Sequence, residues 1–319
     1  MDLLWLTHPE CGRHEMGAGH PEQPARLAAV EAAMAASAIG MRRLCRQAGP
    51  ATPSELERVH DGRSVDAVLK SVPTHGYVRL DADTALNPHS GAAALRAAGA
   101  CVEAVQGAMA DEFRLAFCAV RPPGHHAERN TPMGFCLFDN IAVGAAEALA
   151  LGAGRVAILD FDVHYGNGSV DIFRDDERVL VCNTYQYPLY PYWANGGGGP
   201  NIADAPLAPG AGGAEFREAV RSVWLPALAQ HQPELILVSA GFDAHRDDPL
   251  ANLEFTEADY RWIGAVIREQ AERHSGGRVV AALEGGYALD ALGSSVVAFL
   301  GGLLDSGAAH GARLNGSSR

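Results

Sequence analysis

The stretch VAILDFDVHYGNG, residues 156–168, decides how the chain is read. Its first half is an unbroken apolar run, the pattern of a strand covered on both faces of a sheet. Its second half sets Asp160, Asp162 and His164 at every second position and then enters a Gly-rich turn. Carboxylates are poor strand formers, and two of them on one face repel each other, so something must neutralise them. A divalent metal is the simplest candidate.

The same grammar recurs on either side. LAFCAV (115–120), VLVCNT (179–184), LILVSAGF (235–242) and VVAALEGG (279–286) are short apolar runs bounded by Gly, Pro or charge. Helical segments fall between and beside them at 91–109, 140–152, 213–231 and 256–274, the last opening on Thr256 with Asp259 three residues on, which resembles a capping box. Apolar strands alternating with helices predict an α/β domain with a mostly parallel central sheet and helices on both faces. No linker or internal repeat interrupts it. We expect one catalytic domain over 1–306 and a flexible tail, GAAHGARLNGSSR, over 307–319. The Gly-rich NGGGG (195–199) reads as a loop and not a phosphate cradle, because no GK[ST] or GxGxxG-helix context follows.

Composition narrows the function. The 319 residues are 48% hydrophobic and 20% charged, enough apolar material for a large core. A net charge of -13 with no basic run argues against nucleic-acid binding. Acidic solubility is its plainer meaning; attraction of a cationic substrate is the other. Cys11, Cys45, Cys101, Cys118, Cys136 and Cys182 are scattered without a CxxC, so they read as small, mostly buried residues in a reducing compartment and not as a disulfide framework. The N-terminal MDLLWLTHPE lacks the basic and long apolar regions of a signal peptide, and no apolar run approaches the roughly 18–20 residues of a membrane span. A cytoplasmic protein that neither spans nor binds membrane is the expectation.

Ligands of parallel sheets bind beyond the carboxyl ends of the strands. There the chain offers RPPGHHAE after FCAV, DVHYGNG after VAILDF, DAHRDDPL after LILVSAGF and GGY after VVAALE. A set such as Asp162, His164 and Asp243 would give two oxygens and one nitrogen and leave coordination positions open, the pattern of a catalytic zinc. A structural Ca²⁺ or a buried ion pair is the plainer alternative, but Ca²⁺ prefers six to eight oxygens and does not favour His. His125 and His126 follow a stiff Pro-Pro-Gly turn that can aim both rings inward, against the usual reading of a lone His as structural. Each needs a partner on its far nitrogen; Asp160 can serve one and Asn167 the other. Tyr287 follows two glycines that let the backbone pass close to a site, where a neutral phenol can stabilise an oxyanion.

Taken together, RPPGHHA, GFCLFDN, DFDVHYGNG, SAGFDAH, DDPL and EGGY resemble the zinc-dependent histone deacetylases, in particular the class II-like bacterial histone deacetylase-like amidohydrolases, from HPEQPARL (20–27) to LEGGY (283–287). The resemblance implies the arginase–deacetylase fold and removal of acetyl or other acyl groups from lysine side chains or related amines. It implies zinc on Asp162, His164 and Asp243, paired catalytic histidines His125 and His126 supported by Asp160 and Asn167, and Tyr287 polarising the amide carbonyl. It places Gly134, Phe135 and Tyr190 at the acyl-lysine tunnel and Asp83 at a rim that holds the substrate backbone. It also implies a K⁺ ion served by Asp160, Asp162, His164 and the Asn183–Thr184 strand, and it allows a dimer or tetramer. Two departures stand out. Tyr185 occupies a position where relatives usually carry His beside the cation site, and YWANGGGG (192–199) is longer than the usual Gly turn after PLYP.

Other readings stay open at this stage. An acetylpolyamine amidohydrolase shares the site, but class II-type polyamine enzymes place an acid after the DP of this loop, where this chain has Leu250. An arginase-like ureohydrolase uses two manganese ions and more acids. A silent acyl-lysine binder would lack Tyr287 or a catalytic His. Fe²⁺ could occupy the zinc ligands.

Overall fold

Inner strands that are apolar on both sides need cover on both sides, and a computed structural model that describes residues 3–193 and 198–305 shows how this is done. The strands are β1 (Leu3–Thr7), β2 (Arg43–Gln47), β3 (Val78–Arg79), β4 (Ala85–Leu86), β5 (Leu115–Cys118), β6 (Val156–Asp160), β7 (Val179–Gln186), β8 (Ile202–Leu207), β9 (Leu235–Ala240) and β10 (Val279–Leu283). The helices are α1 (Ala25–Ala36), α2 (Pro53–Leu56), α3 (Gly62–Lys70), α4 (Ser90–Met109), α5 (Asn140–Ala150), α6 (Asn167–Phe173), α7 (Gly213–Ala219), α8 (Leu225–His231), α9 (Glu257–His274) and α10 (Leu289–Leu304).

Eight strands form one sheet in the order β2-β1-β5-β10-β9-β6-β7-β8, every pair parallel. Helices α4 and α5 cover one face, and α1, α9 and α10 cover the other. Close helix packing shapes the second layer. A Cβ on Gly264 or Gly302 would overlap backbone of the facing helix, so α9 and α10 touch through glycine. The Asp259 carboxylate accepts the Thr256 backbone N–H and hydroxyl at 2.9 Å each, starting α9 where the capping pattern predicts. The predicted helix over 213–231 is not one regular helix. It passes through a π-turn at Val220–Trp224, because Pro226 has no N–H to give the carbonyl four residues back. Five of the six cysteines are buried and free; Cys45, on the edge strand β2, is exposed.

The sheet positions the site through register. Asp160, the last residue of β6, lies opposite Asn183 of β7 and Ser239 of β9. Phe161 follows β6 directly and Phe242 stands two residues beyond β9; they pack with Tyr260 and Phe299 under the strand ends, each fully buried and each worth about 1.5–3 kcal/mol of burial. Among the described residues no helix is long and apolar enough to cross a membrane. The 307–319 tail and Ala194–Gly197 of the long loop lie outside the described residues.

Candidate active site

Four neighbouring strands, β5, β10, β9 and β6, deliver their loops to one spot. The β6 loop brings Asp162 and His164, and the β9 loop brings Asp243. One donor atom from each lies within 4.8 Å of the other two. His164 Nδ1 is 3.0 Å from Asp162 Oδ1 and 3.2 Å from Asp243 Oδ2. Backbone amides fix the carboxylates. Asp162 Oδ2 accepts Gly285 N–H at 2.8 Å, Asp162 Oδ1 accepts His164 N–H at 2.9 Å, and Asp243 Oδ1 accepts Val163 N–H at 2.9 Å. Asp243 Oδ2 accepts no hydrogen bond although it is buried, which is the signature of an oxygen meant for a cation. Burial works against the Asp162 carboxylate, but His125 and His164 hold it well below the usual range. Burial also works against a charged His164, but the adjacent Asp162 and Asp243 carboxylates lift it to about 10. Two carboxylate oxygens and an imidazole nitrogen with open sides fit Zn²⁺.

The β5 loop brings the histidine pair, with ring centres 4.0 Å apart. His125 Nδ1 donates to Asp160 Oδ2 at 2.8 Å, and His126 Nδ1 lies 2.7 Å from Asn167 Oδ1. The two environments differ in sign. Burial opposes charge on His125, but Asp160 and Asp162 outweigh it and raise its pKa well above the ordinary value. Burial lowers His126 well below it, and His125 and His164 push the same way. The loop itself hangs on Glu284 from the end of β10, whose Oε2 accepts Gly124 N–H at 2.6 Å and His125 N–H at 3.2 Å. Burial pushes Glu284 up to about 8.

Tyr287 follows β10 in the loop that also carries Gly285 and Gly286. Its backbone N–H donates to Asp248 Oδ2 at 2.7 Å, and its ring meets Phe135 edge-on at 5.9 Å. The Arg26 guanidinium stacks 4.9 Å from the ring centre. Arg26 is wholly buried and donates to Gly286 O at 2.7 Å, to Glu284 O and to Glu22 Oε1 at 3.1 Å. Glu22 is also gripped on both oxygens by Arg121. Burial pushes the Glu22 carboxyl up, but Arg121 prevails and holds it at about 2.

The approach is aromatic. Tyr190 meets His126 edge-on at 5.1 Å, and His20 meets Phe135 edge-on at 4.7 Å. Gly134 and Phe135 both take left-handed backbone, at φ +56° and +69°. A Cβ on Gly134 would run into the His126 ring, so only glycine fits there. At the rim the β3–β4 turn carries Asp83, whose carbonyl lies 3.1 Å from His20 Nε2 and whose carboxylate accepts from Thr84 Oγ1 at 3.1 Å. Leu250 is half-buried on the turn where Asp248 holds Tyr287. Of YWANGGGG, Trp193 packs 6.1 Å from Tyr165 and Tyr192 is exposed. Tyr185 is buried 4.7 Å from Tyr165.

The structure therefore brings Asp162, His164, Asp243, His125, His126, Asp160, Asn167 and Tyr287 together, with Phe135, Tyr190, Gly134 and Asp83 along the approach. It adds Glu22, Arg26, Arg121, Asp248 and Glu284, and Glu128, whose Oε1 accepts from Asn167 Nδ2 at 2.8 Å. Glu284 carried a signal, an acid at a strand end before two glycines; Glu22 and Arg121 lie in the motifs HPEQPARL and RPPGHHA, but nothing in the sequence shows that they pair across 99 residues.

The chain resembles known proteins over most of its length. The histone deacetylase domain family matches residues 20–303. The chain is 37% identical to a histone deacetylase-like amidohydrolase of Pseudomonas aeruginosa over 279 residues, 85% of this chain and 73% of that protein. It is 33% identical to a probable deacetylase of Archaeoglobus fulgidus, over 89% of this chain and 81% of that one. The crystal structure of the HDA15 HD domain superposes with a TM-score of 0.87 at 34% identity, covering 94% of this chain and 87% of that domain.

Proposed function

Because the chain belongs to the histone deacetylase family, we propose that it is a zinc-dependent amidohydrolase that removes acetyl or acyl groups from lysine side chains or related amines. The observation that carries this is the meeting, at one set of strand ends, of an Asp-His-Asp donor set, two differently charged histidines and a neutral phenol.

Asp162, His164 and Asp243 would hold the zinc, which when bound lowers the pKa of water and polarises an amide oxygen. His126 has Nδ1 taken up by Asn167 and is driven neutral by burial, so its Nε2 is free to take a proton from the attacking water. His125, kept cationic by Asp160 and Asp162 against burial, supplies positive charge beside the reacting carbonyl, and the pair returns a proton to the leaving amine. The Tyr287 hydroxyl donates to the developing oxyanion, and burial keeps it protonated. Phe135 and Tyr190 would flank an extended acyl-lysine side chain, with Asp83 facing its backbone. A K⁺ ion behind the site is supported by Asn183 Oδ1 and Thr184 Oγ1, buried oxygens without hydrogen-bond partners beside Asp160.

Rates of zinc-loaded protein on an acetyl-lysine peptide and on an acetylated polyamine test this together. Faster peptide turnover is expected, since Leu250 stands where an acid would attract a polycation. A polyamine reading draws on Asp81 and Asp83 at the rim, and faster polyamine turnover would favour it. Metal-loaded protein that hydrolyses neither, nor any short acyl amide, refutes the hydrolase reading.

A further inference from the structure

Asn167 offers His126 an amide, and an amide, unlike a carboxylate, has two faces of opposite character. Presented by its oxygen, it requires a proton on His126 Nδ1 and leaves Nε2 as a base. Presented by its NH₂, it requires a lone pair on Nδ1, moves the ring proton to Nε2 and removes the base. Nothing in a His–Asn pair alone chooses between these.

The choice is made on the far side of Asn167. Three groups surround Nδ2: Glu128 Oε1 at 2.8 Å, the His126 carbonyl at 3.3 Å and Met133 Sδ at 3.4 Å. A carboxylate, a carbonyl and a thioether can only accept, so the atom they face is the NH₂. Glu128 is the nearest of the three and the one that carries charge. Its own backbone is pinned on both sides: its N–H donates to Thr131 O at 3.0 Å, and its carbonyl accepts from His60 Nδ1 at 3.1 Å. We propose that Glu128 is a positioning residue of the hydrolysis, orienting the Asn167 amide so that His126 is held with its proton on Nδ1 and its base nitrogen toward the substrate. This deepens the hydrolase reading and rests on it for its catalytic consequence, though not for its geometry.

The test uses the full zinc-loaded chain as wild type, E128A and E128Q, with steady-state kinetics on an acetyl-lysine peptide and ¹⁵N imidazole NMR, His126 being assigned by comparison with H126Q. A glutamine keeps an acceptor oxygen for Asn167, and alanine does not. E128A is expected to lose about tenfold in kcat with KM unchanged, the scale of one charge-assisted hydrogen bond. E128Q is expected to stay within about threefold of wild type. In NMR, wild type and E128Q show His126 protonated on Nδ1, and E128A shows mixed tautomers. Unchanged kcat in E128A, equal impairment of both variants, or Nε2 protonation in the wild type overturns the proposal. If E128A does not fold, the wild-type tautomer and E128Q decide. A wild type that turns over no acetylated amine overturns the hydrolase reading alone, and the NMR result still decides the orientation of Asn167.

Discussion

Tyr287→Phe removes a single oxygen from the site. The ring keeps its edge-on contact with Phe135 at 5.9 Å and its place 4.9 Å from the Arg26 guanidinium, and the backbone keeps its 2.7 Å bond to Asp248. Among the described residues the hydroxyl makes no hydrogen bond, so no protein group is left unpaired and stability should change by less than about 0.5 kcal/mol. On the proposed mechanism, what is lost is one preorganised donor to the oxyanion. That costs about 10²–10³ in kcat, or about 2.7–4 kcal/mol of transition-state stabilisation, with KM little changed. Burial raises the phenol far above its ordinary pKa, so it is a neutral donor throughout the working range and the variant should keep the shape of the wild-type pH profile. The assay is kcat and KM on an acetyl-lysine peptide, with metal content and unfolding midpoint measured on the same preparation. A fully metallated, stable variant with kcat within about threefold of wild type refutes the role of Tyr287 as oxyanion donor.

Arg26→Ala should lower unfolding free energy by about 3–5 kcal/mol in urea titrations, because it strips Glu22 of one buried cation and leaves the Gly286 and Glu284 carbonyls unpaired. Gly285→Ala forces a Cβ into the Asp243 and Asp162 carboxylates, so purified protein should hold well below one equivalent of zinc by elemental analysis while far-ultraviolet circular dichroism is unchanged. His60 and His14 are buried and neutral: burial lowers each from 6.5 to about 4. The unfolded chain therefore takes up the proton first, and each histidine withdraws up to about 3 kcal/mol of stability as pH falls from about 6.5 to about 4, with full stability above 6.5. Urea midpoints at pH 7 and 5 should move together more closely in His60→Gln than in wild type, since glutamine can still accept Asp139 N–H and donate to the Glu128 carbonyl without titrating.

The inner strands β5, β6, β7, β9 and β10 are legible as apolar runs because both of their faces are covered. The edge strands are not. β2 reads RLCRQ because it pairs on one side only and most of its side chains face water. β8 carries Asp204 and Pro206, which an edge tolerates. Helix α10, LDALGSSVVAFLGGLL, is obscured by its glycines, yet those glycines are why it can lie against α1 at Gly293 and against α9 at Gly302. The candidate site residues are readable because strand ends concentrate chemistry, and the partners Asp160 and Asn167 lie in one motif. Arg26 lies in HPEQPARL, but its contact with Tyr287 depends on a turn 260 residues away. Glu128 follows the paired histidines, yet only the packed loop shows that it faces Asn167 and not solvent.

The sheet order has a consequence for how the chain is made. The last strand in sequence, β10, enters the middle of the sheet between β5 and β9. A nascent chain that has emerged only as far as β9 therefore holds two separate half-sheets, β2-β1-β5 and β9-β6-β7-β8, each with an open edge where the other belongs. Glu284, Gly285 and Tyr287, which anchor the histidine loop, hold the Asp162 carboxylate and carry the phenol, arrive with that strand. Synthesis from the N-terminus thus leaves the two unzipped edges as the stage most exposed to mispairing with other chains. It also delays the candidate site until nearly the whole domain has left the ribosome, so a truncated product carries His125, His126, Asp162 and Asp243 but cannot close them into one cluster.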